Sequence, residues 1–161
     1  MFPGMAALER RDRIAVVRNA VRFPVLGVLL LYAYLPLLRA DPSRLGPIIT
    51  AAPGPLAGVI GGIGCFLAVF TYALWPALRP GTRPNAKLAD LQFFTTALAC
   101  VGVFVGLFLA GSDSVYARDP EVVRSIAGHI RLRSVSAWVL CASATVPIVS
   151  ALVERRRAAR V

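Results

Sequence analysis

Long stretches without a charge alternate along this chain with short basic ones, and the uncharged stretches are unusually long. Three of them, 55–78, 91–112 and 134–153, reach or approach the roughly 20 apolar residues that cross a hydrocarbon core. A fourth, 23–38, is shorter. It follows Arg18 and Arg22, whose long stems reach back to the headgroups, so its helix is expected to start near Ile14 and to span with some tilt. The pattern predicts an all-α integral membrane protein, with four transmembrane helices in a small bundle and a single membrane domain over 1–161. The longest polar connection, 113–133, is too short to bury a core of its own.

Between the apolar stretches the polar positions predict further elements. In the basic leader 1–22, the segment "MAALERRDRIAVVRNAVR" places Leu8, Ile14, Val17 and Val21 roughly on one face, which reads as an amphipathic N-terminal helix lying on the membrane surface. Pro24 and Pro36 bracket the first span. Neighbours must satisfy the carbonyls they free, so this helix is expected to pack against protein for much of its length. The loop "RADPSRLGPIITAAPGP" carries too many prolines for a continuous helix. "RPGT" reads as a turn, with Asp90 as the cap of the third span. In 119–133, Asp119, Pro120 and Glu121 match an N-cap, a first-turn proline and a dipole-favoured acid. Val122, Val123, Ile126 and Ile130 form an apolar stripe, and Arg124, Arg131 and Arg133 fall on the polar side. This predicts an interfacial helix that bends into the fourth span near Ser134 and ends in a basic tail, 154–161.

Composition fits a chain solvated by lipid. It is 57% hydrophobic and 16% charged, where an ordinary globular domain has about 45–50% apolar and 25% charged residues. The net charge of +10 flanks spans and has no aromatic-interleaved basic face, so nucleic acid is not expected as a partner. Twelve of the eighteen basic residues lie in the N-terminus, the 79–90 loop and the C-terminus, among them Arg155, Arg156 and Arg157. By the positive-inside rule both termini face the cytoplasm or the mitochondrial matrix. An even number of spans requires both ends on one side, so the bias and the count agree. The first apolar run ends in "LPLLRADP" rather than a small-residue cleavage site, and a removable secretory signal is not expected. Tyr72 and Trp75 are expected as interfacial anchors on the basic side. Tyr32 is expected at the other surface, and Tyr34 and Trp138 fit either that surface or the core.

Candidate chemistry is sparse. The only histidine is His129, on the interfacial segment beside Arg131 and Arg133; one histidine could at most donate a single ligand to a shared site, and its place fits an ordinary headgroup-level residue. All eight carboxylates lie outside the uncharged runs and are expected in tails or loops, whereas ion pumping usually leaves an acid or base facing an internal path. Cys65, Cys100 and Cys141 lie in three different spans without a CxxC pair and read as small core residues. No catalytic or metal site is expected, and no cofactor beyond structural phospholipid.

The most specialised feature within the spans is glycine. Gly54, Gly58 and Gly62 recur every four residues, and Gly102 and Gly106 form a second pair. Each costs a helix about 1 kcal/mol against Ala, and close helix approach, a driving force that apolar burial cannot supply in lipid, is what such stripes provide. The matching small faces of the third and fourth spans are their expected partners. These observations predict a non-catalytic accessory subunit of a larger inner-membrane assembly of the energy-transducing, respiratory type, contacting other membrane subunits and anionic phospholipid through Arg124, His129, Arg131, Arg133, Arg155, Arg156 and Arg157. The alternative is a small self-assembling transporter, flippase or channel for a neutral or lipid-like substrate, lined by Thr71, Thr95, Thr96 and Ser143.

Overall fold

A computed structural model describes residues 2–39, 54–79, 85–113 and 120–158. Of these, 96% are helical and none is in a strand, and four helices are long and apolar enough to cross a membrane. The helices are α1 (Pro3–Ala7), α2 (Arg10–Arg39), α3 (Gly54–Val69), α4 (Trp75–Leu78), α5 (Ala86–Asp113) and α6 (Pro120–Ala158), with a π-helical turn, Phe70–Leu74, joining α3 to α4. The proline-rich loop after Arg39, the "RPGT" turn and the Asp119 cap lie outside the described residues.

Helix α3 is central. Its span, continued through the π-turn and α4, is 56% buried, against 22–33% for the other three. It packs on α2 to one side and on α6 to the other, and α5 packs chiefly on α6. A helix with two neighbours must turn two faces inward, which accounts for the buried Gly54, Ala57, Gly58, Gly61, Gly62, Gly64 and Cys65. Each outer helix buries one stripe at helical spacing: Val16, Asn19, Phe23, Gly27, Leu30 and Tyr34 on α2, and Ala89, Gln92, Thr96, Ala99, Val103 and Leu107 on α5. The stripes meet in a core of Phe23, Leu30, Tyr34, Tyr72, Val103 and Leu140. Outside it α2 presents Val25, Val28 and Leu29, and α5 presents Leu91, Phe94, Leu98 and Phe104. Such apolar exteriors suit lipid as the surrounding medium.

Several expectations need correction. The leader is not one surface helix: α1 ends at Ala7, and α2 runs from Arg10 straight into the first span. Arg13 turns back to cap α1, donating from Nε to the Leu8 carbonyl at 2.8 Å and from Nη2 to that of Ala6 at 3.1 Å. Leu8 and Val16 then pack with Ala73 and Ala77 at the end of the second span. The first span, expected to pack against protein along much of its length, is the least buried of the four. Asp90 is not the cap of the third span. Asn85 is, its side-chain oxygen accepting from the Leu88 N–H at 3.1 Å, and the helix therefore starts a turn earlier. The interfacial segment and the fourth span form one uninterrupted helix, α6. Tyr72 is buried in the core rather than placed as an anchor, as is Tyr34, while Trp138 is 74% exposed.

Candidate functional site

Several of the polar side chains buried inside the bundle gather around two prolines. Proline has no N–H, so within a helix it leaves the carbonyl four residues earlier without its donor. Pro147 in α6 frees the carbonyl of Ser143, and Gln92 of α5 donates to that oxygen from Nε2 at 3.0 Å. Pro76 in α4 frees the carbonyl of Tyr72, and Asn19 of α2 donates to it through a longer bond of 3.5 Å. Both amides are buried, Asn19 at 0% and Gln92 at 4% exposure. In each case a buried amide on an outer helix closes a gap that a proline opens on its neighbour.

The node at Pro147 extends further. Thr96 donates to Ser143 Oγ at 3.0 Å, and Ser143 Oγ donates to the Leu140 carbonyl at 2.9 Å. Thr71, in the π-turn, donates to the carbonyl of Leu67 at 3.1 Å and of Pro147 at 3.4 Å. The π-turn, α5 and α6 are thus tied at one level by groups that would be costly to leave unpaired in an apolar medium. Thr71, Thr96 and Ser143, expected as the lining of a pathway in the transporter alternative, are buried and bonded to helix backbone or to one another. Thr95 is half-buried and donates to the carbonyl of Leu91 at 2.7 Å. The π-turn itself, marked by the Trp75 N–H reaching Phe70 O, lies just before Pro76, where the regular ladder is already interrupted.

Just outside this level is a charged clasp. Arg18 and Arg22 of α2 reach the same Asp90 oxygen at 2.7 and 2.6 Å. The Arg22 guanidinium also lies 4.7 Å from the Phe93 ring centroid and 5.3 Å from that of Phe23, a cation–π arrangement. The two rings meet edge to face at 5.7 Å. The clasp ties α2 to α5, which otherwise touch little.

The glycines occupy three seams. A Cβ on Gly58 would enter the ring of Tyr34, and one on Gly62 would come within 2.9 Å of Leu31 Cγ. These two face α2, not the third and fourth spans. Gly54 faces Leu107 and Arg133, with a Cβ at 3.4 and 3.2 Å from their side chains. The α3–α6 seam is built instead by Gly61 against Leu140 and by Gly64, whose Cβ would lie 2.7 Å from the Cα of Ala144. Between α5 and α6, Gly102 faces Ser136, and a Cβ on Gly106 would come within 2.9 Å of both Arg133 N and His129 O. Tyr34 fills the space beside Gly58 and donates to the Cys100 carbonyl at 3.1 Å, linking α2 to α5.

The residues expected to meet lipid or a partner separate into four groups. Arg124 and Arg131 are exposed. His129 is half-buried, its Nε2 3.0 Å from Ser125 Oγ. Arg133 departs from expectation: it is 7% exposed, lying against Gly106 and Gly54. Its position follows from helical spacing, two turns beyond the buried Ile126 and one turn before the buried Ala137. Arg155, Arg156 and Arg157 lie in the last turns of α6, and their side chains are outside the described set.

Sequence reading overlooked Asn19 and Gln92. Their signal was present: a buried amide and a proline-freed carbonyl need one another, though only the packing pairs them. Among the described residues no three of His, Cys, Asp and Glu come together as a metal site, and the three cysteines are free thiols. Comparison with protein-family models, with curated proteins and with solved structures finds no match to this chain.

Proposed function

We propose that this protein is a non-catalytic structural subunit of a larger membrane assembly, of the energy-transducing kind found in inner membranes. The observation that carries the reading is how the interior polar groups are used. Asn19, Gln92, Thr71 and Tyr34 each donate to a backbone carbonyl of a neighbouring helix, and Tyr34, Tyr72, Phe23, Leu30 and Leu140 fill the space between. Such groups hold helices in register; a transport path would need them facing a passage.

In this reading the basic ends lie at the cytoplasmic or matrix face, and Arg124, Arg131 and the Arg155–Arg157 run meet anionic phospholipid or acidic partner surfaces. Structural phospholipid is its only expected cofactor. Native electrophoresis after mild extraction tests it, with the chain expected to migrate in a particle containing other membrane subunits. Migration only as a small monomer or homodimer overturns the proposal and returns weight to a self-assembling transporter or flippase of a lipid-like substrate.

A further inference from the structure

The clasp between α2 and α5 carries more positive charge than it uses. Arg22 is the member enclosed by protein, its side chain 14% exposed and its guanidinium held over the Phe93 and Phe23 rings. A cation so enclosed needs an anion beside it, and Asp90 Oδ1 at 2.6 Å supplies one. Asp90 has a single charge, so its pairing with Arg22 leaves Arg18 in excess. Arg18 reaches the same oxygen through Nη2, and its side chain is 48% exposed. The N–H groups on Nε and Nη1 remain for a second acceptor.

Lys87 adds to the excess. It lies one turn before Asp90 on the same side of α5, is exposed, and forms no ion pair among the described residues. It also stands in the first turn of α5, which holds no acidic residue, and the N–H groups of a helix start favour an anion there. Arg18, Arg22 and Lys87 against Asp90 alone leave two positive charges uncompensated.

Both helices change from charge to hydrocarbon at this level. Past Arg22 the outer face of α2 presents Val25 and Leu29, and past Asp90 that of α5 presents Phe94 and Leu98. On each helix the change follows one face, 18, 22, 25 and 29 on α2 and 87, 90, 94 and 98 on α5, at three- and four-residue spacing. Charge followed by hydrocarbon is the order of a phospholipid, phosphate first and acyl chain after.

We propose that the clasp is a headgroup site for an anionic phospholipid, whose phosphate is held by Arg18 and Lys87 and whose acyl chains run over Val25 and Leu29 of α2 and Phe94 and Leu98 of α5. Phosphatidylglycerol offers such a phosphate with no cation attached. Phosphatidylcholine brings its own ammonium to the two uncompensated charges and is a poor occupant. The inference stands apart from the subunit reading, because the full chain in vesicles is enough to test it and no partner protein is involved.

The test places the purified full-length protein in phosphatidylcholine vesicles at low salt, with a trace of phosphatidylglycerol or phosphatidylcholine that carries a diazirine near the carboxyl end of one acyl chain. After illumination, labelled peptides are mapped by mass spectrometry. Phosphatidylglycerol is expected to label 21–29 and 91–98 about 25-fold more than phosphatidylcholine, about fivefold for each uncompensated cation. Arg18→Gln should lower that ratio about fivefold and leave labelling of 124–135 unchanged. Lys87→Gln should do the same, and because Lys87 makes no contact in the clasp it decides the matter if Arg18→Gln does not fold. Inorganic phosphate in millimolar excess should compete no better than chloride of equal ionic strength. Equal labelling by the two lipids, or a preference that survives both substitutions, overturns the proposal. Specific displacement by inorganic phosphate overturns it as well, because the clasp then takes a free anion and the acyl chains add nothing.

Discussion

Gly58→Ala isolates one of the closest glycine contacts in the bundle. The added methyl would overlap Cγ and Cδ2 of Tyr34 and lie 2.8 Å from its Cβ. Tyr34 has little freedom to retreat: it is 0% exposed, and its hydroxyl is tied to the Cys100 carbonyl. Overpacking of this kind costs about 1–3 kcal/mol. If the ring swings aside, the lost hydrogen bond adds about 1 kcal/mol. Against these stands a gain of about 1 kcal/mol from replacing Gly by Ala in a helix. The expected net is a loss of about 0–2 kcal/mol, or about 1–3 kcal/mol if the hydrogen bond is also lost, measured by reversible unfolding in mixed detergent micelles followed by circular dichroism. The mechanism is tested by repeating the substitution in a Tyr34→Ala background. There Cγ and Cδ2 are gone and only the Cβ at 2.8 Å remains, so Gly58→Ala should cost less than in the parent, with a coupling of about 1–3 kcal/mol between the two sites. An equal cost in both backgrounds, or a gain in the parent, would refute the assignment of Gly58 to the α2 seam. Gly58→Leu should fail more severely, preventing α2 from docking.

Three other perturbations address the remaining contacts. Gln92→Leu should cost about 1–3 kcal/mol by stranding the Ser143 carbonyl; in a Pro147→Ala background, where the replacement restores a backbone N–H to that carbonyl, the same change should cost little, and equal costs would disprove the pairing of amide and proline. Gly106→Ala drives a methyl against backbone atoms of α6, Arg133 N and His129 O, which cannot rotate away, so a net loss of about 1–2 kcal/mol in the same unfolding assay is expected. Asp90→Asn removes the clasp on Arg18 and Arg22; since Asp90 and Arg18 are both substantially exposed, the loss should be below about 1 kcal/mol at low salt and should shrink at high salt. A salt-independent loss would mean that packing around Phe93, rather than charge, accounts for the effect.

The amino-acid order by itself determined that there are four helices long and apolar enough to cross a membrane, and their approximate limits, because transfer into a hydrocarbon solvent depends on local composition over about 20 residues. It also marked glycine as the means of close approach. Which faces meet was a different matter. In a soluble helix apolar residues point inward, but in lipid both faces are apolar and that signal disappears. Helix α5 shows the consequence: it turns Leu91, Phe94, Leu98 and Phe104 outward and buries Ala89, Gln92, Thr96 and Ala99. The inward stripe is the small and polar one. Only the tertiary structure assigned Gly58 and Gly62 to α2, gave the α6 seam to Gly61 and Gly64, and drew Arg133 inward. Only the tertiary structure, too, brought Gln92 to the carbonyl that Pro147 leaves open and Asn19 to the one left by Pro76. Each such pair joins residues more than 50 positions apart, so neither member's role exists until the helices have packed.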